Sequence, residues 1–574
     1  MFQLTLNASP SSIGRGRLAL LRLLFAVLVA LGLVGCASLP PNVVRPSSTA
    51  YATPADTALG RLTQLRRTQS TARSESGFSL LDSVDLAFTS RLALIEGAQK
   101  TLDLQYYAVH ADSSTEQLLE RLRAAAERGV RVRILLDDFN TVGADAQVLR
   151  LAFLKNVELR LFNPLPGSRA SLLGRIFTSL SDVDRIQKRM HNKLFIADNA
   201  WGIAGGRNLG DAYFGRGQES NFVDLDILAT GAVVRDMSAS FDSYWNNDLA
   251  YPVEALLGPQ ELDRLRKPPL PTATVGDTSR LPPAASVAPP LSVTVTASVL
   301  PDVTTTGVQD RRLDLQQVPL TWAPAALLVD KPGKVAPDDD EVEAGDTVID
   351  GLSALMGQAR QDLLIISPYF VPGEPMMKLF SQLRQRGVRI RVLTNSLASN
   401  DAPAAHAGYA RYRKQLLEIG VELYEMRAEQ EGSIGGLGSG INSRSTQSAG
   451  AFGSGGGVGG SKAATGRASL HSKAVVIDGR LAVIGSMNLD LRSKLKNSEV
   501  ALVIRSQVLA RQATRLVETT FANGAYRLEL AGGRLRWLAP PGAPFQDETS
   551  EPDASGKLKL LVDVLGPLAP DTML

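Results

Sequence analysis

Two stretches of this 574-residue chain carry the same chemical groups at the same spacing. Each has a His, a Lys two residues later, an Asp seven residues later and an Asn seventeen residues later. Two of the four His residues in the chain belong to this repeat. It therefore predicts one active site assembled from two similar sets: His191, Lys193, Asp198 and Asn208 in the first, and His471, Lys473, Asp478 and Asn488 in the second.

These groups suit chemistry at a phosphodiester. The Lys ammoniums and the Asn amides can hold the non-bridging oxygens and stabilise the charge that develops during displacement. One imidazole can attack phosphorus, and the other can act as general acid and base, since an unperturbed pKa of about 6.5 permits both roles. The residues alone do not decide which His does which. We predict neither a metal nor another cofactor, because the ammonium groups supply the positive charge.

The elements around each motif must aim its side chains at one place. Alternation along a strand would put His191 and Lys193 on one face, and the second copy follows the same pattern. Asp198 and Asp478 begin turn sequences, so each strand should return as a hairpin that brings its Asn near its His. We expect both Asp residues to set the turn rather than to do chemistry.

A nucleophilic His also needs a carboxylate on its other ring nitrogen. Glu499 lies 28 residues after His471 and is the candidate for the second half. The matching strand of the first half makes Asp224 the candidate behind His191, with Asp226 as the fallback on the same face.

Alternating strand and helix patterns surround both motifs and predict an α/β sandwich in each half. The first half has predicted strands at 101–107, 130–137 and 157–162, with a capping box from Ser113 to Glu116 at the start of a helix. The pattern restarts near 346, and the sequence at 128–133 recurs at 386–391. The predicted fold class is therefore α/β, in two duplicated halves.

The N-terminus predicts export. Three Arg residues flank an apolar run over 23–34, which is short for a membrane span and suits a signal core. The run ends at Leu-Val-Gly-Cys over 33–36, which resembles the bacterial lipoprotein box and implies lipidation of Cys36, the only cysteine in the chain. An uncleaved anchor is the alternative. We expect a membrane-anchored protein of the cell envelope that faces the periplasm, with either membrane possible.

Composition divides the rest of the chain. The predicted segments are a signal at 1–36, a flexible tether at 37–75, a first half at 76–266, a Pro-rich linker at 267–317, a second half at 318–535 with a Gly/Ser-rich insertion at 431–467, and a tail at 536–574. The formal charge is +3, and removing the three signal arginines leaves 3 − 3 = 0. A neutral chain lacks the basic field typical of nucleic-acid binders, so no nucleic-acid partner is expected.

The motifs resemble the HxKx4D signature and the following GSxN-like turn of the phospholipase D superfamily. The second copy matches fully, whereas the first has Gly206 where the second has Ser486. Further stretches, at 205–214, 366–373 and 394–401, are similar to bacterial cardiolipin synthases, specifically those of the C type.

This resemblance implies two α/β halves, each a mixed sheet between helices, related by a pseudo-two-fold axis with the active site between them. It implies transfer of a phosphatidyl group between phospholipids through a phosphohistidine, with His191 as nucleophile and His471 as general acid and base. Asn208, Asn488 and Ser486 would bind phosphate. A hydrolytic phospholipase D and, further off, a nuclease of the same superfamily are the alternatives.

Overall fold

A computed structural model of the protein describes residues 39–266 apart from most positions between 168 and 181, then 313–336, 347–429, 437 and 467–566. These residues form two α/β halves, each built around a nine-stranded mixed sheet. The predicted duplicated α/β fold is confirmed. The predicted signal with Cys36, most of the Pro-rich linker and most of the Gly/Ser-rich insertion lie outside the described residues.

The first half contributes the strands β1 (Ser76–Leu81), β2 (Thr101–Tyr106), β3 (Arg131–Asp137), β4 (Val157–Phe162), β5 (Arg189–Met190), β6 (Leu194–Ala197), β7 (Trp201–Gly205), β8 (Ser220–Val223), β9 (Asp226–Gly231), β10 (Ala250–Pro252) and β11 (Thr321–Trp322). Nine of them form a sheet in the order β10-β4-β3-β2-β6-β7-β9-β1-β11, and β5 and β8 stand apart from it. Strands β2, β3 and β4 run parallel, as their intervening helices require.

The second half contributes β12 (Ala325–Val329), β13 (Asp362–Ile366), β14 (Arg389–Asn395), β15 (Glu422–Met426), β16 (Arg467–Leu470), β17 (Ala474–Ile477), β18 (Leu481–Gly485), β19 (Asn497–Ser498), β20 (Val500–Arg505), β21 (Ala525–Ala531) and β22 (Arg534–Leu538). Its sheet has the order β12-β20-β18-β17-β13-β14-β15-β21-β22. The parallel trio β13-β14-β15 repeats the trio β2-β3-β4. Strands β16 and β19 stand apart, as β5 and β8 do.

The α-helices within the described ranges are α1 (Ala58–Thr68), α2 (Val84–Gly97), α3 (Ser113–Glu127), α4 (Val183–Gln187), α5 (Ala232–Trp245), α6 (Val253–Leu256), α7 (Pro259–Arg266), α8 (Val348–Met356), α9 (Gly373–Gln385), α10 (Pro403–Glu418), α11 (Leu491–Leu495), α12 (Gln507–Asn523) and α13 (Gly556–Leu565). None of them combines the length and apolar content needed to cross a bilayer. Helix α3 is capped by Asp112 rather than Ser113, because the Asp112 carboxylate accepts from Thr115 N at 3.2 Å.

One hydrophobic cluster joins the halves. It contains side chains from α5, such as Phe241 and Trp245, together with side chains from α12, such as Leu509 and Val517. These residues are completely or almost completely buried. The halves therefore share a core, and the interface between them is a fixed feature of the fold.

Residues 39–75 are packed against the first half and are not a flexible tether. The Ala50 N–H donates to Asp242 Oδ2 at 2.8 Å, and Arg133 Nη1 donates to the Ser48 carbonyl at 2.9 Å. Thr57 caps α1 by accepting from Gly60 N at 3.0 Å. The prediction was wrong because backbone and side-chain groups of this segment bond to the body of the first half.

The boundary between the halves also lies later than predicted. Strand β11 pairs with β1, so Trp322 lies opposite Gly77 at the edge of the first sheet. Leu315 and Val318 are buried in the core of the first half. Strand β12 pairs with β20 of the second sheet, which places the change of half between 322 and 325.

The segment from 536 belongs to the second half and is not a separate tail. Strand β22 pairs with β21. Helix α13 packs against the start of α10 and the loop before it, with Val562 beside Leu397 and Ala407. Leu558 also packs against this cluster, whereas Leu560, Leu561 and Val564 are exposed.

A buried ionic cluster fastens this segment. Arg413 pairs with Glu425 at 3.0 Å and also binds Glu551. His406 is fully buried beside them and lies 3.6 Å from Glu551 Oε1. His110 lies partly exposed on a loop and pairs with Asp145 at 3.0 Å.

Candidate active site

Each His-x-Lys motif lies at a break between two strands. Strand β5 ends at Met190 and β6 begins at Leu194, and β16 ends at Leu470 and β17 begins at Ala474. The motif is therefore not one continuous strand, contrary to the prediction. The break arises because the segment before each His pairs with the other half, whereas the segment after it joins its own sheet.

Two short parallel ladders cross the interface at these breaks. Strand β5 pairs with β19, and His191 N donates to the Ser498 carbonyl at 3.0 Å. Strand β16 pairs with β8, and His471 N donates to the Val223 carbonyl at 2.8 Å. Ser498 precedes Glu499, and Val223 precedes Asp224. Each His therefore bonds to the residue before a carboxylate of the opposite half.

The carboxylates behind the imidazoles are consequently exchanged between the halves. His191 Nδ1 lies 3.0 and 3.1 Å from the two oxygens of Glu499. His471 Nδ1 lies 2.6 Å from Asp224 Oδ2. The sequence identified both carboxylates correctly but paired each with the wrong His. The fallback Asp226 pairs instead with Arg91 at 2.9 Å, away from both imidazoles.

This contact sets the chemistry of both imidazoles. A carboxylate at Nδ1 favours the proton on that nitrogen, which leaves the Nε2 lone pair free. Burial raises the pKa of Glu499 to about 7, and Lys193 and the Ser486 hydroxyl oppose that rise. Burial likewise raises the pKa of Asp224, against the charges of Lys473 and Arg207. Both carboxylates are fully enclosed and fixed.

The two Lys side chains are buried beside the imidazoles. Lys193 Nζ donates to the carbonyl of His191 at 2.8 Å, and Lys473 Nζ donates to the carbonyl of His471. Burial lowers the pKa of Lys193 to about 7 and that of Lys473 to about 8. An anionic ligand placed between them would recover the solvation that both ammoniums have lost.

Both imidazoles are held in the neutral form. Burial lowers the pKa of His191 well below 6.5, and the charges of Lys193, Lys473 and Arg492 lower it further. The pKa of His471 is lowered in the same way by burial and by both Lys. A neutral imidazole is the form that can attack phosphorus.

The Gly206 and Ser486 difference follows from the two carboxylates. The Ser486 hydroxyl donates to Glu499 Oε2 at 2.5 Å and thus orients Glu499, and its predicted role in phosphate binding stays a prediction. A Cβ on Gly206 would lie 2.4 Å from Asp224 Oδ1. The first half thus combines Gly with the shorter Asp, whereas the second combines Ser with the longer Glu.

The two Asn residues of the motif have different surroundings. Asn208 Nδ2 donates to the Tyr213 hydroxyl at 2.9 Å, and its Oδ1 accepts from Ala108 N at 3.3 Å. Asn488 Oδ1 is buried and has no hydrogen-bond partner. Asn488 N donates to Ser493 Oγ at 3.2 Å, and that hydroxyl also donates to Glu499 Oε1 at 2.9 Å. Their predicted role in phosphate binding stays a prediction.

Asp198 and Asp478 act on the backbone, not on the reaction. Asp198 accepts from the N–H groups of residues 99, 100 and 101 at 2.7 to 3.2 Å, and Asp478 accepts from residues 360, 361 and 362 at 2.8 to 3.2 Å. Both have φ of 52° in the turns β6-β7 and β17-β18. The expectation that they set the hairpins is confirmed.

Aromatic rings complete the walls around the imidazoles. The ring of Tyr107 lies 5.1 Å from His191, and those of Tyr213 and Phe222 lie 5.4 and 5.1 Å from His471. None of these three rings is among the site residues predicted from the sequence. Tyr213 is five residues after Asn208 and Phe222 two before Asp224, but no pattern distinguishes them from core aromatics.

Comparison with known proteins gives consistent matches. The chain matches the family model described as "Cardiolipin synthase, PLD-like domain" over residues 92–245, 352–437 and 443–521. It is 37% identical to cardiolipin synthase C of Escherichia coli strain K12, over 80% of this chain and 88% of that protein. It is 26% identical to a cardiolipin synthase of Geobacillus kaustophilus, over 74% of this chain and 61% of that protein.

Among solved structures, the chain is similar to phosphatidylserine synthase of Haemophilus influenzae Rd KW20. The identity is 13%, the TM-score is 0.48, and the match covers 81% of this chain and 91% of that chain.

Proposed function

This chain belongs to the phospholipase D superfamily as a cardiolipin synthase-like phosphatidyltransferase, and we propose that it transfers a phosphatidyl group from one phospholipid to the headgroup alcohol of another, producing cardiolipin. One observation carries the proposal. Two neutral imidazoles, each bonded through Nδ1 to a buried carboxylate of the opposite half, share the interface with two buried Lys ammoniums.

The first half-reaction forms a phosphohistidine. The Nε2 of His191 attacks phosphorus, a P–N bond forms, and the P–O bond to the leaving headgroup breaks. His471, protonated once substrate has entered, gives its proton to the departing oxygen. Glu499 stabilises the positive charge that His191 acquires, and Lys193 and Lys473 stabilise the charge on the non-bridging oxygens.

The second half-reaction reverses these roles. His471, now neutral, takes the proton of the acceptor hydroxyl, and the acceptor oxygen attacks phosphorus. A new P–O bond forms, the P–N bond breaks, and His191 returns to its neutral form. Water in place of the alcohol would yield phosphatidic acid, which is the reaction of the alternative function, a hydrolytic phospholipase D.

The proposed location is the cell envelope. Lipidation of Cys36 would hold the protein at a membrane, where phospholipid substrates are concentrated. Residue 39, the first described position, lies close in sequence to Cys36, and residues 45–50 are bound to the first half. This arrangement supports a body held near the membrane surface instead of one on a long tether.

Synthesis is tested with the purified protein in vesicles of mixed phospholipids. We expect cardiolipin as the product by mass spectrometry, and His191→Ala should abolish it. His110→Ala, which changes a partly exposed His on the Asp145 loop, is the matched control and should retain activity. Phosphatidic acid as the sole product would establish the hydrolase instead, and metal-independent cleavage of DNA would favour the nuclease.

The order of the two His residues is tested with phosphatidyl-p-nitrophenol, whose leaving group needs no proton. In His471→Ala, the phosphatidyl group should accumulate on His191. The first step no longer needs an acid, and the second step lacks its base. In His191→Ala, no phosphoenzyme should form. A label on His471 in His191→Ala would reverse the assignment.

A further inference from the structure

One exposed carboxylate near the candidate active site, that of Asp401, is present in only one of the two halves. Asn395 is the last residue of β14, and its Oδ1 accepts from the N–H of Leu470, the residue before His471, at 2.8 Å. Asp137 is the last residue of the equivalent strand β3, and its Oδ2 accepts from the N–H of Met190, the residue before His191, at 2.8 Å. The chain beyond Asp137 continues into Asp138, which is buried. The chain beyond Asn395 reaches Asp401, which is exposed.

The first half has no carboxylate at the equivalent position. The match of Asn395 with Asp137 places Gly143 opposite Asp401. The first carboxylate after β3 is Asp138, which is fully buried and bonds to the guanidinium groups of Arg169 and Arg175.

Asp401 is exposed but held in place. The Tyr369 hydroxyl lies 2.9 Å from both Asp401 oxygens and donates to the carboxylate. The loop before it is fixed by Ser399, whose hydroxyl bonds to Asn395 Oδ1 at 3.0 Å and to the Met426 carbonyl at 2.8 Å. A carboxylate that is both accessible and positioned is suited to binding a ligand.

This pair borders the reacting groups. Ile366, the last residue of β13, lies opposite Ala474, which directly follows Lys473, and Tyr369 is three residues farther on. The Asp401 carboxylate is one of the charges that oppose the lowering of the Lys473 pKa by burial. Asp401 is therefore close enough to interact electrostatically with Lys473, which lies beside His471.

The sign of its charge restricts the ligand. A carboxylate repels a phosphodiester, so the part of the substrate beside Asp401 is not phosphate. A transferase must also favour an alcohol over water, and buried or positioned hydrogen-bonding groups discriminate best between a ligand that has a hydroxyl and one that lacks it. Ionised acceptors make the strongest hydrogen bonds to hydroxyl groups.

From these contacts we infer that Asp401, positioned by Tyr369, binds the hydroxyl groups of the acceptor headgroup and favours a polyol over a simple alcohol. This inference rests on the proposed phosphatidyl transfer and adds an acceptor subsite to it.

The first test measures how the phosphoenzyme divides between two alcohols in one reaction. Vesicles of a phospholipid donor are incubated with glycerol and propan-1-ol at equal concentration, and the two products are counted. Asp401→Asn should lower the glycerol-to-propanol ratio about tenfold, since it loses a hydrogen bond to a charged acceptor. Tyr369→Phe should lower it less. The matched control is Glu529→Gln, an exposed carboxylate on β21 toward the far edge of the same sheet.

An unchanged ratio in Asp401→Asn would overturn the inference. A second competition replaces glycerol by ethanolamine. If Asp401→Asn lowered the ethanolamine-to-propanol ratio but not the glycerol-to-propanol ratio, the site would bind an ammonium group, and the inference would also be overturned. Since each readout is a ratio within one reaction, a lower overall rate of the variant does not affect it.

The second test needs no turnover. The His191→Ala chain is titrated by calorimetry with glycerophosphoglycerol, a soluble headgroup, and adding Asp401→Asn should weaken binding about tenfold. Equal affinities would overturn the subsite even if cardiolipin is made. Asp401-dependent binding by a protein that makes neither cardiolipin nor phosphatidic acid would support the subsite and reject the proposed function.

Discussion

Replacing Glu499 by Gln tests the exchanged carboxylates most directly. Glu499 accepts from His191 Nδ1 across the interface and is itself fixed by the hydroxyls of Ser486 and Ser493. Gln is nearly the same size, so the packing should persist. The change removes the charge that faces the attacking imidazole, and we therefore expect slower formation of the phosphoenzyme.

The size of the expected loss in rate follows from the strength of the hydrogen bond between Glu499 and His191. A hydrogen bond to a charged group contributes about 1.5–3 kcal/mol, which is about 10- to 150-fold in rate. The Gln amide can also donate to Nδ1, which would move the imidazole proton to Nε2 and block attack. The comparable Asp-to-Asn change in a serine protease triad costs about 10⁴. We expect a loss between about 10² and 10⁴.

The assay is the p-nitrophenol burst from phosphatidyl-p-nitrophenol. Glu499→Gln should slow the burst, whereas Asp224→Asn should leave the burst and slow the following turnover, because Asp224 faces His471. If the phosphatidyl group is trapped on His191 and Asp224→Asn nevertheless slows the burst, the pairing of His191 with Glu499 and of His471 with Asp224 is refuted.

Unfolding is excluded by a stability measurement. Burial raises the pKa of Glu499 from its ordinary 4.5 to about 7, so the folded state binds a proton more readily than the unfolded state. The contribution to stability is present at low pH and is lost as the pH rises through about 7. Gln cannot ionise, so Tm of Glu499→Gln at pH 8 should be no lower than that of the natural chain.

Three further outcomes are expected. Asp198→Ala should lower Tm by several degrees because it leaves the N–H groups of residues 99–101 without an acceptor, and activity should fall only with the unfolded fraction in a thermal inactivation series. Lys193→Met should cut turnover at least about 100-fold. Because burial lowers the Lys193 pKa from 10.5 to about 7, the natural chain should gain stability as the pH rises between those values, and a urea titration series would show a smaller gain in the variant. Glu551→Gln should lower Tm by several degrees because it removes a partner of buried Arg413, and an unchanged Tm would mean that this ion pair does not stabilise the fold.

The parts of the site that depend on local spacing could be predicted from the sequence. An Asp followed by Asn or Gly favours a turn with positive φ, and Asp198 and Asp478 indeed set two hairpins. The hairpin then fixes where Asn208 returns relative to His191. The strand and helix pattern likewise predicted β2, β3 and β4 of the first half, with β4 matching its predicted bounds.

The parts that depend on how the halves meet could not be predicted. Glu499 and His471 are 28 residues apart and lie in the same half, so sequence distance favoured that pair. The ladder β5-β19 instead places Glu499 behind His191, which is 308 residues away. Composition also failed for residues 39–75, since it records polarity but not which partner satisfies a polar group.

The exchanged carboxylates make the charge of the whole site a shared property of both halves. Two Lys cations and two carboxylates nearly balance, and in that environment burial keeps His191 and His471 neutral. A phosphodiester adds one negative charge and raises the pKa of both imidazoles. In the proposed mechanism, a single proton then suffices to make His471 an acid, while His191 keeps its lone pair for attack. Because each imidazole receives its carboxylate from the other half, the proposed chemistry needs residues of both halves.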